Sequence, residues 1–193
     1  MSIERISREE LDTQVQKVQE GRQKNAKSGK IALISDIHSN YWALKEVLED
    51  ISQNGAEEIF CAGDVVGYGP RPNECCYVFR ALQIPTVMGN HDYRTSYPRF
   101  SEFEFNSEAE LANIWTRHVL DRDNLGWISF LALEHMKNRL YMTHGSPRDK
   151  LEEYVFEEKS EEIFGKFFES EKAKDLKLAV HGHTHLPYQK EIG

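Results

Sequence analysis

From residue 30 onwards the chain alternates between short apolar runs and amphipathic stretches. The runs are three to five residues long, a pattern typical of strands buried on both faces, and they lie at 31–35, 58–62, 86–88, 139–143 and 176–180. Between them, apolar residues recur every three or four positions, which predicts helices at 41–53 and 73–83, a mainly helical stretch at 101–132 and a helix capped by Ser160. One face of the 101–132 stretch carries Leu111, Ile114, Trp115, His118 and Val119. Strand and helix therefore alternate, and the pattern predicts an α/β fold with a mainly parallel central sheet.

A polar extension at 1–29 precedes the main domain, which we place at 30–193. Ser7 and Glu10 have the spacing of a helix capping box, and Gly21 is expected to end that helix. Its apolar stripe is thin, with Leu11, Val15 and Val18. The extension could mediate self-association, but a solvated or frayed terminus is the expected state.

The net charge of −8 comes from 32 acidic and 24 basic residues. This excess argues against a stable nucleic-acid partner or an anionic membrane surface, because both are polyanions. A small phosphorylated substrate is still compatible with it if bound metal ions supply positive charge. No apolar run has the length of a membrane span, and the first residues lack the apolar core of a signal peptide.

Three cysteines occur, Cys61, Cys75 and Cys76, and none has the paired spacing of a zinc site. An odd number in a chain of this length does not indicate a disulfide framework, so we expect reduced structural thiols and a cytoplasmic location. A redox pair formed by Cys75 and Cys76 is the alternative.

Polar residues of the types that bind metals follow each predicted strand. They are Asp36 and His38, Asp64, Asn90 and His91, His144, and His183 and His185. Because ligands bind outside the carboxyl ends of the strands in open α/β sheets, these residues are expected to converge on one edge. Carboxylate, amide and imidazole ligands without thiolates suit Mn, Fe, Zn, Co or Ni, and the set is large enough for two ions that share a carboxylate.

Each residue also has a purely structural interpretation. Asp36 could cap the helix at 41–53, His38 could be a surface histidine, and Asn90 could serve a turn. His183 and His185 alternate as they would in a strand, so both can face one site only if the chain bends there. His118, His135 and His181 are not expected to bind metal; we place the first two in helical stretches.

Five short motifs in this order are similar to those of the calcineurin-like metallophosphoesterase superfamily. They are Asp36-Ile37-His38, Gly63-Asp64 with Gly67, Gly89-Asn90-His91-Asp92, His144-Gly145 and Gly182-His183-Thr184-His185. The match spans 31–188, and the segments around the first, second and fourth motifs resemble a branch of small prokaryotic phosphodiesterases.

The resemblance implies a four-layer αββα sandwich with two mixed, mainly parallel central sheets. It also implies two divalent metal ions, foremost manganese, with one ion on Asp36, His38 and His185, the other on Asn90, His144 and His183, and Asp64 bridging them. A hydroxide held by the metals would attack phosphorus, and His91 would protonate the leaving oxygen as a general acid.

The sequence departs from the superfamily in two places. Protein phosphatases carry Asp-Arg-Gly where this chain has Gly67-Tyr68-Gly69, which argues against that activity and leaves His91 without an assigned orienting partner. The chain also stops eight residues after His185, whereas relatives continue through further strands. We expect either a short natural form or a truncation that exposes a sheet edge.

The function indicated is hydrolysis of small phosphodiesters, beneath a helical cap at 94–135. Candidate substrate contacts are Tyr68, Arg71, Arg94 and Arg99, since arginine matches phosphate geometry well. Alternatives are a phosphomonoesterase, a dinucleoside-polyphosphate hydrolase, a non-catalytic interaction protein and a metal-sensing domain. A homo-oligomer is also compatible with the sequence.

Overall fold

The computed structural model of the protein describes residues 6–24, 26–97 and 107–192. Over these ranges it contains helices and two sheets. The helices are α1 (Arg8–Lys24), α2 (Tyr41–Gln53), α3 (Pro72–Leu82), α4 (Asn90–Ser96), α5 (Ser107–Val119), α6 (Arg122–Ser129) and α7 (Glu157–Phe168), with a short 3-10 turn at Glu171–Ala173. The strands are β1 (Ile31–Ile34), β2 (Glu58–Cys61), β3 (Glu134–Lys137), β4 (Leu140–Thr143) and β5 (Leu178–Val180).

The first sheet pairs β1 and β2 in parallel, with Ile31 opposite Glu58. The second has the order β3-β4-β5, with β4 antiparallel to β3 and parallel to β5. The strand expected at 86–88 forms only isolated parallel bridges, from Thr86 to Cys61 and from Val87 to Ala132.

Three apolar clusters lie between the layers and pack them together, which confirms the αββα architecture. The inter-sheet cluster joins β2 to β4 and β5 through Phe60, Ala62, Val87, Leu140, Met142 and Val180. A larger cluster packs helices α1, α2, α3 and α6 against the first sheet. The third packs α7 against Tyr141 of β4. Each sheet is thus covered on one face by helices and on the other by its partner sheet.

Helix α1 packs on the core instead of fraying. Its apolar stripe is buried in the cluster that holds α2 and α3, with Val18 fully inaccessible to solvent. The Arg22 guanidinium donates to the backbone carbonyls of Glu57 and Leu82, each at 3.1 Å. The helix continues past Gly21 to Lys24, so the expected end at Gly21 was wrong. Whether 1–29 is a separate unit stays a prediction.

Helix α5 presents an unexpected face to the protein. Leu111, Ile114 and Trp115, which form its apolar side, are exposed, and the buried positions are Ala109, Asn113 and Thr116. A polar side of the helix therefore faces the interior.

Two further boundaries differ from the sequence expectation. Helix α7 begins at Glu157, so Ser160 lies inside it and donates to the Glu157 carbonyl instead of capping it. His135 lies in β3, not in a helix. The segment of β3 reads EHMK and has no apolar run, which explains why the strand escaped prediction.

Cys61, Cys75 and Cys76 are free thiols buried in the core, and burial raises the pKa of each. No helix within the described ranges has the length and apolar character needed to cross a bilayer.

Candidate active site

The loops that follow the strands meet at one edge of the sandwich. Each of the expected residues from Asp36 to His185 comes from such a loop or from the start of α4. Three groups of titratable side chains place their ligand atoms within 4.8 Å of one another: Asp36, His38 and His185; His38, Asp64 and His91; and Asp64, His144 and His183. Because the groups share His38 and Asp64, they form one continuous site.

The first group brings two imidazoles and a carboxylate together. The Nε2 atoms of His38 and His185 lie 3.1 Å apart, and Nε2 of His185 lies 3.3 Å from Asp36 Oδ1. Asp36 also accepts the backbone N–H of His183 at 3.2 Å. The capping alternative for Asp36 fails, since Asn40 caps α2.

The group of Asp64, His144 and His183 is buried. His144 Nε2 lies 3.3 Å from Asp64 Oδ2 and 3.1 Å from the amide oxygen of Asn90. The same Asp64 oxygen lies 3.7 Å from His38 Nε2, so this carboxylate stands between His38 and His144. The bridging role of Asp64 that the motifs imply stays a prediction.

In three of the histidines, one ring nitrogen is hydrogen-bonded to a backbone carbonyl; we call it the outer nitrogen. The acceptors are Ala62 O for His144 Nδ1 at 2.8 Å, Val66 O for His38 Nδ1 at 3.3 Å, and Glu152 O for His183 Nε2 at 3.2 Å. A ring nitrogen that donates to a carbonyl leaves the other nitrogen unprotonated in the neutral imidazole. This is the usual arrangement around metal-binding histidines, so the donor set fits divalent metal ions.

Several of these residues adopt left-handed backbone conformations. Values of φ are +56° for Asp36, +48° for His38, +53° for Asp64, +71° for His183 and +55° for His185. Such conformations are costly for residues other than glycine and cluster at functional sites. At 183–185 they provide the bend that both histidines need to face one site.

The charges of Asp64 and His144 depend on each other. Burial alone would raise the pKa of Asp64, but His144, together with His91 and His38, holds it well below its usual range. Burial opposes charge on His144, and the adjacent Asp64 carboxylate overcomes this and raises its pKa to about 9. Burial and the charge of His144 lower the pKa of His183 to about 4. The carboxylates thus concentrate negative charge where cations would bind.

Asp92 is a structural residue that the sequence argument did not assign. Its buried carboxylate accepts the N–H groups of Val65, Val66 and Gly89 at 3.1–3.3 Å. Burial and the neighbouring Asp64 raise its pKa to about 7. Asp92 therefore ties the loop after β2 to the start of α4, which fixes the two segments relative to each other.

His91 belongs to the group with His38 and Asp64, and further contacts hold it in place. Its backbone N–H donates to Asp64 Oδ1 at 2.9 Å, and its Nδ1 lies 3.1 Å from Asn113 Oδ1. The Tyr68 ring centroid lies 4.5 Å from that of His91. Burial lowers the pKa of His91. Asn113 was missed because it lies on a helix whose apolar residues predicted a different inner face.

The expected substrate contacts have different surroundings. Tyr68 is half exposed and packs against His38 and His91. Arg71 is buried and pairs with Glu74 at 3.0 Å, whereas Arg94 pairs with Glu152 at 2.7 Å. Arg99 lies outside the described residues. The substrate roles of all four stay predictions.

A second exposed aromatic residue borders the site. Tyr154 stacks on the His183 ring, with centroids 3.8 Å apart and planes inclined by 22°. Tyr154 follows the fourth motif in the chain. It was not predicted, because no sequence pattern distinguishes it from other aromatic residues.

A family model for calcineurin-like phosphoesterases matches residues 29–191. The chain belongs to the calcineurin-like phosphoesterase family. This confirms the resemblance drawn from the five motifs, whose residues surround the site described above. The family is metal-dependent, in agreement with the histidine and aspartate groups.

Two proteins that are similar to this chain support the family assignment. The uncharacterized protein MJ0912 of Methanocaldococcus jannaschii is 37% identical over 163 residues, which cover 82% of this chain and 63% of that protein. The crystal structure of a metallophosphoesterase from Sphaerobacter thermophilus is 37% identical, with a TM-score of 0.66, and the match covers 81% of this chain and 61% of that one. The chain therefore spans about three fifths of the length of either relative.

Proposed function

We propose that this calcineurin-like protein is a metal-dependent phosphoesterase that hydrolyses small phosphodiesters. The observation that carries the proposal is the convergence of imidazole nitrogens on Asp36 and Asp64, with the outer nitrogens of three of those rings held by carbonyls. Imidazole nitrogens and carboxylate oxygens gathered this closely are ligand types that divalent metal ions bind.

We assign the site residues to two divalent ions, in the distribution that the motifs imply. Asp36, His38 and His185 would hold one ion, Asn90, His144 and His183 the other, and Asp64 would contact both. Mn²⁺ is the metal we propose first, with Fe, Zn, Co and Ni as alternatives, because such ligands select poorly among these ions. When bound, the ions would neutralise phosphoryl oxygens and lower the pKa of water, so that it loses a proton near neutral pH and hydroxide is available to attack phosphorus.

The chain's own residues would transfer the proton and position the acid. In hydrolysis of a diester, an oxygen from water bonds to phosphorus while the bond to the leaving alcohol oxygen breaks. His91 would give its proton to that oxygen, which leaves as the neutral alcohol, and would recover a proton from solvent. Asp64 accepts the backbone N–H of His91 and so sets the distance between the metal-facing groups and the acid.

Charge near the site favours a diester over a monoester. A monoester carries more negative charge on its phosphoryl group and calls for more cationic contacts. Arg71 and Arg94 are engaged by Glu74 and Glu152, and the stretch after Asp64 lacks the Asp-Arg-Gly of protein phosphatases. Retention of His91 beside the metal-facing groups argues against a purely non-catalytic role. The cytoplasmic location rests on the free cysteines and stays a proposal.

Hydrolysis of bis-p-nitrophenyl phosphate and p-nitrophenyl phosphate, each with added Mn²⁺, tests the proposal. We expect a higher kcat/KM for the diester. A preference for the monoester would contradict the diesterase assignment and support a phosphomonoesterase. Turnover of neither ester, nor of a dinucleoside polyphosphate, would exclude the hydrolase function and leave binding or sensing of metal.

A further inference from the structure

Asn113 of α5 provides the contact that the motifs left unassigned. It is 5% exposed, and its amide oxygen lies 3.1 Å from Nδ1 of His91. We propose that Asn113 is the positioning residue that holds the His91 ring for proton transfer, an inference that rests on the proposed function. It would act through His91 without touching the substrate.

The hydrogen bond determines which ring nitrogen faces the site. With the carbonyl oxygen of Asn113 at Nδ1, neutral His91 carries its proton on Nδ1, and Nε2 is left for exchange with the leaving oxygen. The protonated ring donates from Nδ1 to Asn113 and keeps a second N–H on Nε2, as an acid requires. The Thr95 hydroxyl donates to the same amide oxygen at 3.4 Å, which favours this orientation of the amide.

The placement of Asn113 carries a cost that a merely packed residue would avoid. Its Nδ2 group is buried and has no hydrogen-bond partner within the part of the chain that the structure describes. An unpaired buried donor destabilises a protein, and an apolar residue of similar size would remove that cost. Retaining an amide here is understandable if its oxygen serves His91.

The neighbouring elements keep Asn113 and His91 in a fixed relation. Arg117, one turn further along α5, donates to the carbonyls of Thr95 and Ser96 in α4 at 2.8 and 2.9 Å. A Cβ at Gly67 would lie 2.7 Å from His91 Nδ1 and 3.0 Å from the His91 Cβ, so the Gly67 backbone packs closely against the ring. These contacts limit the orientations open to the imidazole.

Three variants test the role by kinetics. Asn113→Leu removes the acceptor at nearly constant volume, Asn113→Asp keeps an acceptor, and Thr116→Val is the matched control, a fully buried polar residue three positions further on α5. Each is assayed with Mn²⁺ on bis-p-nitrophenyl phosphate and on a diester with phenol as the leaving group. Phenoxide is the poorer leaving group and depends more on a proton donor.

We expect Asn113→Leu to lower kcat roughly 10- to 100-fold on the phenyl diester, because misplacing a reacting group by about 1 Å has an effect of this size. The loss on the p-nitrophenyl diester should be smaller, and KM and metal content should stay near wild type. Asn113→Asp should recover most of kcat, and Thr116→Val should not lower it. Equal losses on both esters, or no recovery in Asn113→Asp, would overturn the positioning role.

A spectroscopic measurement separates this inference from the proposed function. Long-range ¹H–¹⁵N NMR spectra of the Zn²⁺-loaded protein, with His91 assigned through His91→Asn, report which ring nitrogen carries the proton. We expect the Nδ1–H form in the wild type and its loss in Asn113→Leu. An Nε2–H form in the wild type would overturn the inference even if both esters are hydrolysed. Absence of turnover with an Nδ1–H ring would refute the phosphoesterase function alone.

Discussion

The Nε2 atoms of His38 and His185 face each other across 3.1 Å, although 147 positions separate the two residues in the chain. Nδ1 of His38 is already bound to the Val66 carbonyl, and Nε2 of His185 also lies near Asp36. Two ring nitrogens this close need a shared proton or a shared cation between them. The carboxylates beside them favour a cation.

Addition of Mn²⁺ to chelator-treated protein should therefore raise the melting temperature. At a free metal concentration about 100 times the dissociation constant, binding contributes about 2.7 kcal/mol. For a domain of this size that corresponds to a shift of roughly 5–10 °C. Calorimetry with and without Mn²⁺ measures the shift directly.

His185→Ala should reduce the shift, because it removes one of the two facing nitrogens. His118→Ala is the matched control, since His118 is exposed on α5 and away from the three groups. A shift of equal size in His185→Ala and in the wild type would show that the metal binds elsewhere.

His91 and Asp64 should respond differently to substitution, because the Asp64 carboxylate lies between His38 and His144, whereas His91 is proposed to act as the acid. His91→Ala should keep its metal but lower kcat by roughly 10²- to 10⁴-fold, the usual contribution of an acid catalyst. Asp64→Asn should lose metal as well as activity. Elemental analysis beside the kinetics distinguishes the two, and equal metal loss in both variants would mean that His91 is itself a ligand.

The sequence was most informative about polar residues that come directly after a strand. Asp36, Asp64 and His144 could be placed together in advance, because parallel strands bring their carboxyl ends to one edge. The sequence indicated that the chain must bend at His183 and His185 if both face one site. It did not predict the left-handed backbone that makes the bend, since nothing in those residue types demands a positive φ.

Contacts made by helices were harder to predict. The apolar residues of α5 predicted a different inner face, and the structure buries Asn113 and Thr116 instead. This choice is set by tertiary packing against α4, which periodicity does not contain. Strand β3 was missed for a related reason: its residues gain strand structure from pairing with β4, not from their own apolar pattern.

Gly67→Ala should impair both activity and stability. Its φ of +95° is strained for any other residue, and the new Cβ would lie 2.7 Å from His91 Nδ1. We expect a loss of about 1–3 kcal/mol in the free energy of unfolding, and a kcat reduced more than tenfold because the His91 ring must move. Urea unfolding and steady-state kinetics on the diester measure the two effects.

Gly126→Ala is the control for that substitution. Gly126 lies within α6, and a Cβ there meets nothing within 4 Å. Alanine in a helix interior should stabilise the protein by roughly 0.5–1 kcal/mol and leave kcat unchanged. If Gly67→Ala behaves like Gly126→Ala, the backbone at Gly67 does not constrain His91.

Helix α1 should prove to be an integral part of the fold. Leu11 is 7% exposed and packs in the cluster that contains α2 and α3, so Leu11→Ala should lower the free energy of unfolding by about 2–3 kcal/mol. Lys17→Ala, on the exposed side of the same helix, should change it by less than about 0.5 kcal/mol. Urea denaturation followed by circular dichroism compares them. If both variants match the wild type, α1 contributes little to the core, and residues 1–29 behave as the separate extension that the sequence predicted.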